Sequence, residues 1–189
     1  TDERRRKPAA AFFAALIAHD DGTLELLTQA LAEAAPAKQH LIAEAIALSG
    51  LPEWRRQLTV LKRLVPARAL HIDTLLAEPE AQPTLSLPFD TPGVVLDMVV
   101  AHFTATGSEE AARRVVAGLA GAVQDTDPAA SSTRHGAKLA LTQHAGSDPR
   151  LLAWCRREAE VQPEALAELL RDVIATAEAR HAAGQPGSP

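Results

Sequence analysis

Apolar residues recur every three to four positions along almost the whole chain, which is the spacing of one face of an α-helix. The alternation of apolar and polar residues that marks a half-buried strand is nearly absent. The pattern therefore predicts about ten helices and no significant sheet. Their expected ranges are about 8–19, 23–35, 37–49, 52–64, 66–77, 92–105, 108–123, 129–145, 149–160 and 163–182.

Glycines and prolines mark the predicted helix ends. Glycine adopts the left-handed backbone conformation that closes a helix, and four glycines follow predicted helices: Gly22, Gly50, Gly107 and Gly146. Proline suits a first helical turn, because the N–H that it lacks would have no partner there. Prolines stand at or near predicted starts at Pro8, Pro36, Pro52, Pro66, Pro92, Pro128, Pro149 and Pro163.

The stretch VVLDMVVAHFTATGSEEAARRVVAGL, residues 94–119, combines acids, a histidine and arginines in a way that resembles a site. Asp97 and His102 are five positions apart, about 140° around a helix, so their side chains diverge. The loop TATGS supplies a helix stop at Gly107 and an N-cap at Ser108. We interpret this stretch as an αα-hairpin with a short loop.

The predicted fold is all-α: an irregular stack of about ten helices arranged as αα-hairpins, either solenoid-like or a bundle. The composition agrees with this fold, since 47% of the residues are hydrophobic but only 3% are aromatic, and alanine and leucine favour helices. We expect an N-terminal helical half over residues 1–76, a C-terminal half over 92–182 and a disordered tail over 183–189.

The segment AEPEAQPTLSLPFDTP, residues 77–92, interrupts the helical pattern with four prolines. Connections of this length are uncommon in compact domains unless they are linkers, lids or binding loops. Leu85, Leu87 and Phe89 alternate within it. We therefore predict an extended connector that packs on the helical body through these three side chains.

Charge and cysteine content limit the classes of partner and compartment. The formal net charge of −5 does not provide the basic surface that nucleic-acid binding needs. No run approaches the roughly 18 apolar residues of a membrane span. Cys155 is the single cysteine, so no intrachain disulfide is possible, and a cytoplasmic location is favoured over export.

Motifs for catalysis, cofactor binding or metal binding are missing from the sequence. There is no H-E-x-x-H, no G-x-S-x-G and no phosphate-binding loop. The seven histidines do not pair with each other or with acids at ligand spacing, so we expect surface or capping histidines and no bound metal. Cys155 adjoins two arginines that would favour a reactive thiolate, but it shares an apolar stripe with Leu151 and Leu152 and is expected in the core.

Two clusters of tryptophan and arginine are the candidate partner-binding residues. Both residue types are enriched at protein–protein hot spots. The competing interpretation is that each tryptophan anchors core packing. Together with the aromatic residue of the connector, the candidates are Trp54, Arg55, Arg56, Phe89, Trp154, Arg156 and Arg157.

The predicted function is a non-enzymatic helical interaction module that binds a protein or peptide. The alternative is a helical bundle that holds a small apolar ligand, and a third possibility is an enzyme whose site the sequence does not show. An interaction module should have a groove or an exposed apolar patch. A ligand-binding bundle should have an enclosed cavity, and an enzyme should have converging titratable groups.

Overall fold

The structure is a computed structural model that describes residues 3–31, 34–80, 82–89, 92–120 and 128–184. Helical residues, including two short 3₁₀ turns, make up 85% of these residues, and no strand occurs among them. The predicted all-α fold class is therefore confirmed.

Ten α-helices lie within the described part of the chain, and most of them begin and end close to the predicted positions. They are α1 (Glu3–His19), α2 (Asp21–Leu31), α3 (Pro36–Leu48), α4 (Trp54–Leu64), α5 (Ala69–Leu76), α6 (Pro92–Thr106), α7 (Glu109–Ala120), α8 (Pro128–Ala145), α9 (Pro149–Val161) and α10 (Glu164–Gly184). The 3₁₀ turns are Pro66–Arg68 and Thr84–Ser86.

The predicted hairpin is formed by α6 and α7. Gly107 ends α6 with φ of +71°, and its N–H donates to the carbonyl oxygen of Phe103. The Ser108 hydroxyl accepts the N–H of Ala111, as an N-cap side chain does. Gly107 therefore ends α6 and Ser108 caps α7, as the sequence predicts.

Two predicted helix ends are wrong. The first helix begins at Glu3, so Pro8 lies inside it and not at its start. The part of α1 that precedes Pro8 contains Arg6, which forms an ion pair with Glu44 of α3 and stabilises this turn. Gly22 lies in the first turn of α2 and is not a helix stop, because the preceding Asp20 accepts a hydrogen bond from Thr23 and marks the start of that helix.

The chain divides into two compact units, Thr1–Pro88 and Phe89–Pro189. In the first unit, α1 packs chiefly on α3, and α3 also contacts α4 and α5. These helices enclose a core of small and branched side chains. Its buried members are Ala14, Ile17, Leu31, Ile42, Ala43, Ala45, Ile46, Trp54, Leu58, Leu61, Val65 and Ile72.

Part of the proline-rich segment lies against the first unit, where Pro83 is next to Gly50. Thr84 is only 2% exposed, and Leu85 and Leu87 are half-buried. The 3₁₀ turn that contains Thr84 contacts α1. Ala81, Asp90 and Thr91 of the expected connector lie outside the described residues.

In the second unit, α6, α7 and α8 contact one another, and α10 packs on both α8 and α9. α10 continues to Gly184, whereas residues 185–189 of the expected tail lie outside the described part. Among the described helices of both units, none is long and apolar enough to cross a lipid bilayer.

Candidate functional site

Three helices of the first unit bring two histidines, a glutamate and an arginine together. His40 and Glu44 are one turn apart on α3, so they lie on the same face of that helix. His71 comes from α5, and Arg6 comes from α1. The donor atoms of the two histidines and the glutamate lie within 4.8 Å of one another.

The geometry of this His40–Glu44–His71 cluster is compact. The two imidazole rings stack with centroids 3.5 Å apart and planes inclined by 14°. His40 Nε2 lies 3.4 Å from Glu44 Oε1. Arg6 Nε donates to the other carboxylate oxygen, Oε2, over 3.0 Å. The carboxylate therefore contacts a guanidinium on one side and an imidazole on the other.

Burial lowers the pKa of His71. The proximity of His40, Arg6 and Arg68 acts in the same direction, whereas Glu44 opposes the shift. The Nε2 atoms of His40 and His71 are buried and have no hydrogen-bond partner within the described part of the chain. The 3.4 Å approach of Glu44 to His40 has ion-pair distance but not hydrogen-bond geometry. Buried polar atoms without partners are costly, so this cluster requires an explanation.

Sequence reasoning missed this cluster. Its premise that no histidine pairs with an acid at ligand spacing does not hold, because His40 and Glu44 are four residues apart on one helix face. That spacing is visible in the sequence and was the available signal. The contribution of His71 was not predictable, since it depends on how α5 packs beside α3.

The first tryptophan–arginine cluster lies on α4. The Trp54 side chain is buried, with 4% of its surface exposed, and belongs to the core of the first unit. Arg55 lies over the indole ring at 4.5 Å and donates to the carbonyl oxygens of Glu78 and Pro79. Arg56 is exposed. The arginines, not the tryptophan, thus form the accessible part of this cluster.

In the second cluster, on α9, the tryptophan is again buried and the arginines are again accessible. Trp154 is 3% exposed. Arg156 donates to Glu178 over 2.6 Å, and Arg157 donates to Glu109 over 3.3 Å. Both arginines remain more than half exposed, which makes these ion pairs weak and exchangeable.

Phe89, the remaining sequence candidate, is half-buried at the start of the second unit. The guanidinium of Arg114 lies 4.8 Å from its ring centroid, which is within cation–π range. Phe89 is therefore already engaged with α7 and offers only part of its surface to a partner.

A groove runs along α9 and α10 in the second unit. Its cavity volume is about 420 Å³. Small and branched apolar side chains form one part of the lining, at Ala159, Ala167 and Ile174. The other part is polar or charged and consists of Arg156, Glu160, Gln162, Glu164 and Arg171. Arg156 is the only residue that is both a sequence candidate and part of this lining.

Cys155 is buried and fully shielded from solvent. Burial raises the pKa of the Cys155 thiol to about 12, and the negative charge of Glu158 acts in the same direction. The reactive thiolate is therefore scarce in the folded protein.

We expect Cys155 not to react with a thiol reagent such as 5,5′-dithiobis(2-nitrobenzoate) in the native protein at about pH 8. The same sample in concentrated urea should release one equivalent of chromophore per chain, because unfolding exposes the only thiol. Native-state labelling as fast as that of a free cysteine would contradict the burial of this side chain.

Comparison with known proteins adds no identification, because the chain matches no family model, no curated protein and no solved structure.

Proposed function

We propose that this protein is a non-enzymatic helical interaction module, and that a peptide segment of a partner protein binds in the α9–α10 groove. The observation that carries this proposal is the groove of about 420 Å³, whose lining combines apolar side chains with two arginines. Grooves between helices with an apolar lining accept side chains that project from a partner segment.

Arg156 is the expected anchor for an acidic group of the partner. Among the residues that the structure describes, it forms one hydrogen bond, to Glu178, and a guanidinium carries five N–H donors. Arg171, in contrast, directs two nitrogens at Glu164. Because the Arg156–Glu178 pair is about half exposed, exchanging it for a partner carboxylate costs little.

The occupant that fits this lining is a segment with an aliphatic side chain next to an aspartate or glutamate. The aliphatic group would contact Ala159 and Ile174 above the buried Ala167, and the carboxylate would pair with Arg156. Val161, at the end of α9 and between the lining residues Glu160 and Gln162 in sequence, is 75% exposed. Arginine is favoured at such positions because it binds carboxylates through two parallel hydrogen bonds.

The alternative function, a bundle that encloses a small apolar ligand, requires a closed apolar cavity. The α9–α10 groove is open to solvent and has charged side chains along its lining. These features favour a peptide over an apolar small molecule.

The test is selection of peptides from a random 12-residue display library on the full chain. Peptides enriched by the parent should share an acidic residue beside an aliphatic one. Arg156→Ala should weaken their binding at least about tenfold, since hot-spot arginines commonly contribute more than 1.4 kcal/mol.

Arg113→Ala is the matched control, because Arg113 is also an exposed arginine in an ion pair, with Glu109, but does not line the groove. Its affinity for the same peptides should equal that of the parent. The proposal is wrong if no such peptides are enriched, or if Arg156→Ala and Arg113→Ala bind them equally well.

A further inference from the structure

We infer that His40, Glu44 and His71 form a binding site for a divalent transition-metal ion, with Zn²⁺ as the ion that best suits the donors. Two imidazole nitrogens and one carboxylate oxygen are ordinary zinc ligands, and this set leaves a fourth position for water. The site lies in the first unit and is independent of the groove in the second.

The distances favour this assignment. In a tetrahedral zinc site with bonds of about 2.0–2.1 Å, neighbouring donor atoms are about 3.3 Å apart. His40 Nε2 and Glu44 Oε1 are already separated by 3.4 Å. All three donor atoms lie within 4.8 Å of one another. A movement of roughly 1.5 Å would therefore bring them to the separations found around a tetrahedral zinc ion.

The stacked rings of His40 and His71 must splay for both nitrogens to coordinate one ion. In a near-parallel stack the nitrogen lone pairs lie in nearly parallel planes that do not meet at one point, whereas ligands of one ion must converge on it. The change breaks no hydrogen bond of either Nε2 atom, because neither has a hydrogen-bond partner among the described residues. Metal binding would therefore satisfy two buried polar atoms.

Arg6 would hold the Glu44 ligand in place by its hydrogen bond to the carboxylate. Ligating carboxylates are themselves hydrogen-bonded in metal sites, and Arg6 holds Oε2 of Glu44 while Oε1 faces His40. The positive charges of Arg6 and Arg68 also oppose a cation. We therefore expect weaker binding than at a closed site with four protein ligands.

The three ligands come from two helices, His40 and Glu44 from α3 and His71 from α5. A bound ion would join α3 to α5 and so stabilise the folded first unit.

The experiment uses the full chain without an affinity tag, since a histidine tag would itself bind metal. Titration with Zn²⁺ should show one saturable site per chain and a rise in melting temperature that the chelator EDTA reverses. Replacement by Co²⁺ should give visible absorption bands of the intensity typical of tetrahedral sites, and these bands report on the ligands directly.

His40→Ala, His71→Ala and Glu44→Gln should each weaken Zn²⁺ binding at least about tenfold, by loss of one ligand. Glu44→Gln keeps an oxygen that can accept the Arg6 hydrogen bond, so it separates loss of the ligand charge from loss of the fold. Circular dichroism spectra identify any variant that fails to fold.

His19→Ala is the matched control, because His19 is an exposed histidine of the same unit and lies outside the cluster. It should bind Zn²⁺ as the parent does. The inference is overturned if the parent takes up no saturable equivalent, or if folded His71→Ala and Glu44→Gln bind Zn²⁺ with parental affinity.

Discussion

Replacing Trp154 by alanine should lower the free energy of unfolding of the second unit by about 3–5 kcal/mol, the usual cost of truncating a buried aromatic side chain. The side chain is 3% exposed and shares α9 with the buried Leu151 and Cys155. Removing the indole would leave a cavity that the surrounding helices can fill only in part. Urea unfolding followed by circular dichroism measures this loss.

The matched control is Arg157→Ala, which alters the accessible part of the same cluster. Its ion pair with Glu109 is exposed on both sides, so its loss should change stability by less than about 1 kcal/mol. If the free energy of unfolding of Trp154→Ala is also within about 1 kcal/mol of the parent value, Trp154 is not a core anchor. That result would favour its prediction as a partner-binding residue.

Replacing Gly50 by alanine should destabilise the first unit by about 2–4 kcal/mol. Gly50 has φ of +73°, which costs a residue with a Cβ atom about 1 kcal/mol. An added Cβ would also lie 2.9 Å from Cγ of Pro83, a ring atom that cannot rotate away. Relief of such a clash requires backbone movement and adds about 1–3 kcal/mol.

Gly107→Ala separates the cost of the positive φ from the cost of the clash with Pro83. Gly107 has nearly the same φ, +71°, but no heavy atom of the described residues beyond its chain neighbours lies within 4 Å of its added Cβ, so only the conformational cost of about 1 kcal/mol should appear. Trp54 becomes the sole tryptophan after Trp154→Phe, and its fluorescence in urea then reports on Gly50→Ala in the first unit. Trp154 becomes the sole tryptophan after Trp54→Phe, and its fluorescence reports on Gly107→Ala in the second unit. Equal effects of the two alanine substitutions would show that Pro83 does not pack against Gly50.

Local features of the sequence determined most of the helix ends. The end of α6 and the start of α7 depend on Gly107 and Ser108, whose backbone angle and capping bond involve neighbours within a few residues. Such interactions are the same whatever the rest of the chain does, so they can be read directly. Pro8 is an exception, since α1 extends beyond it where Arg6 pairs with Glu44 of another helix.

The surroundings of the tryptophans were only partly predictable. Trp54 and Trp154 each follow a helical start and precede arginines, and that pattern suits both a core anchor and a surface hot spot. Their burial to 4% and 3% is decided by which helix faces meet in each unit. A single helix cannot specify this, because it presents the same residues whether or not a neighbour covers them.

By itself, the sequence determined an all-α protein, the approximate bounds of its helices and the hairpin of α6 and α7. The tertiary structure alone decided that His71 stacks on His40, that Arg6 orients Glu44 and that α9 and α10 leave a groove beside Arg156. The physical reason is the separation in sequence between the residues that interact. Helix formation and capping involve residues three or four positions apart, whereas a site on several helices depends on packing between segments far apart in sequence.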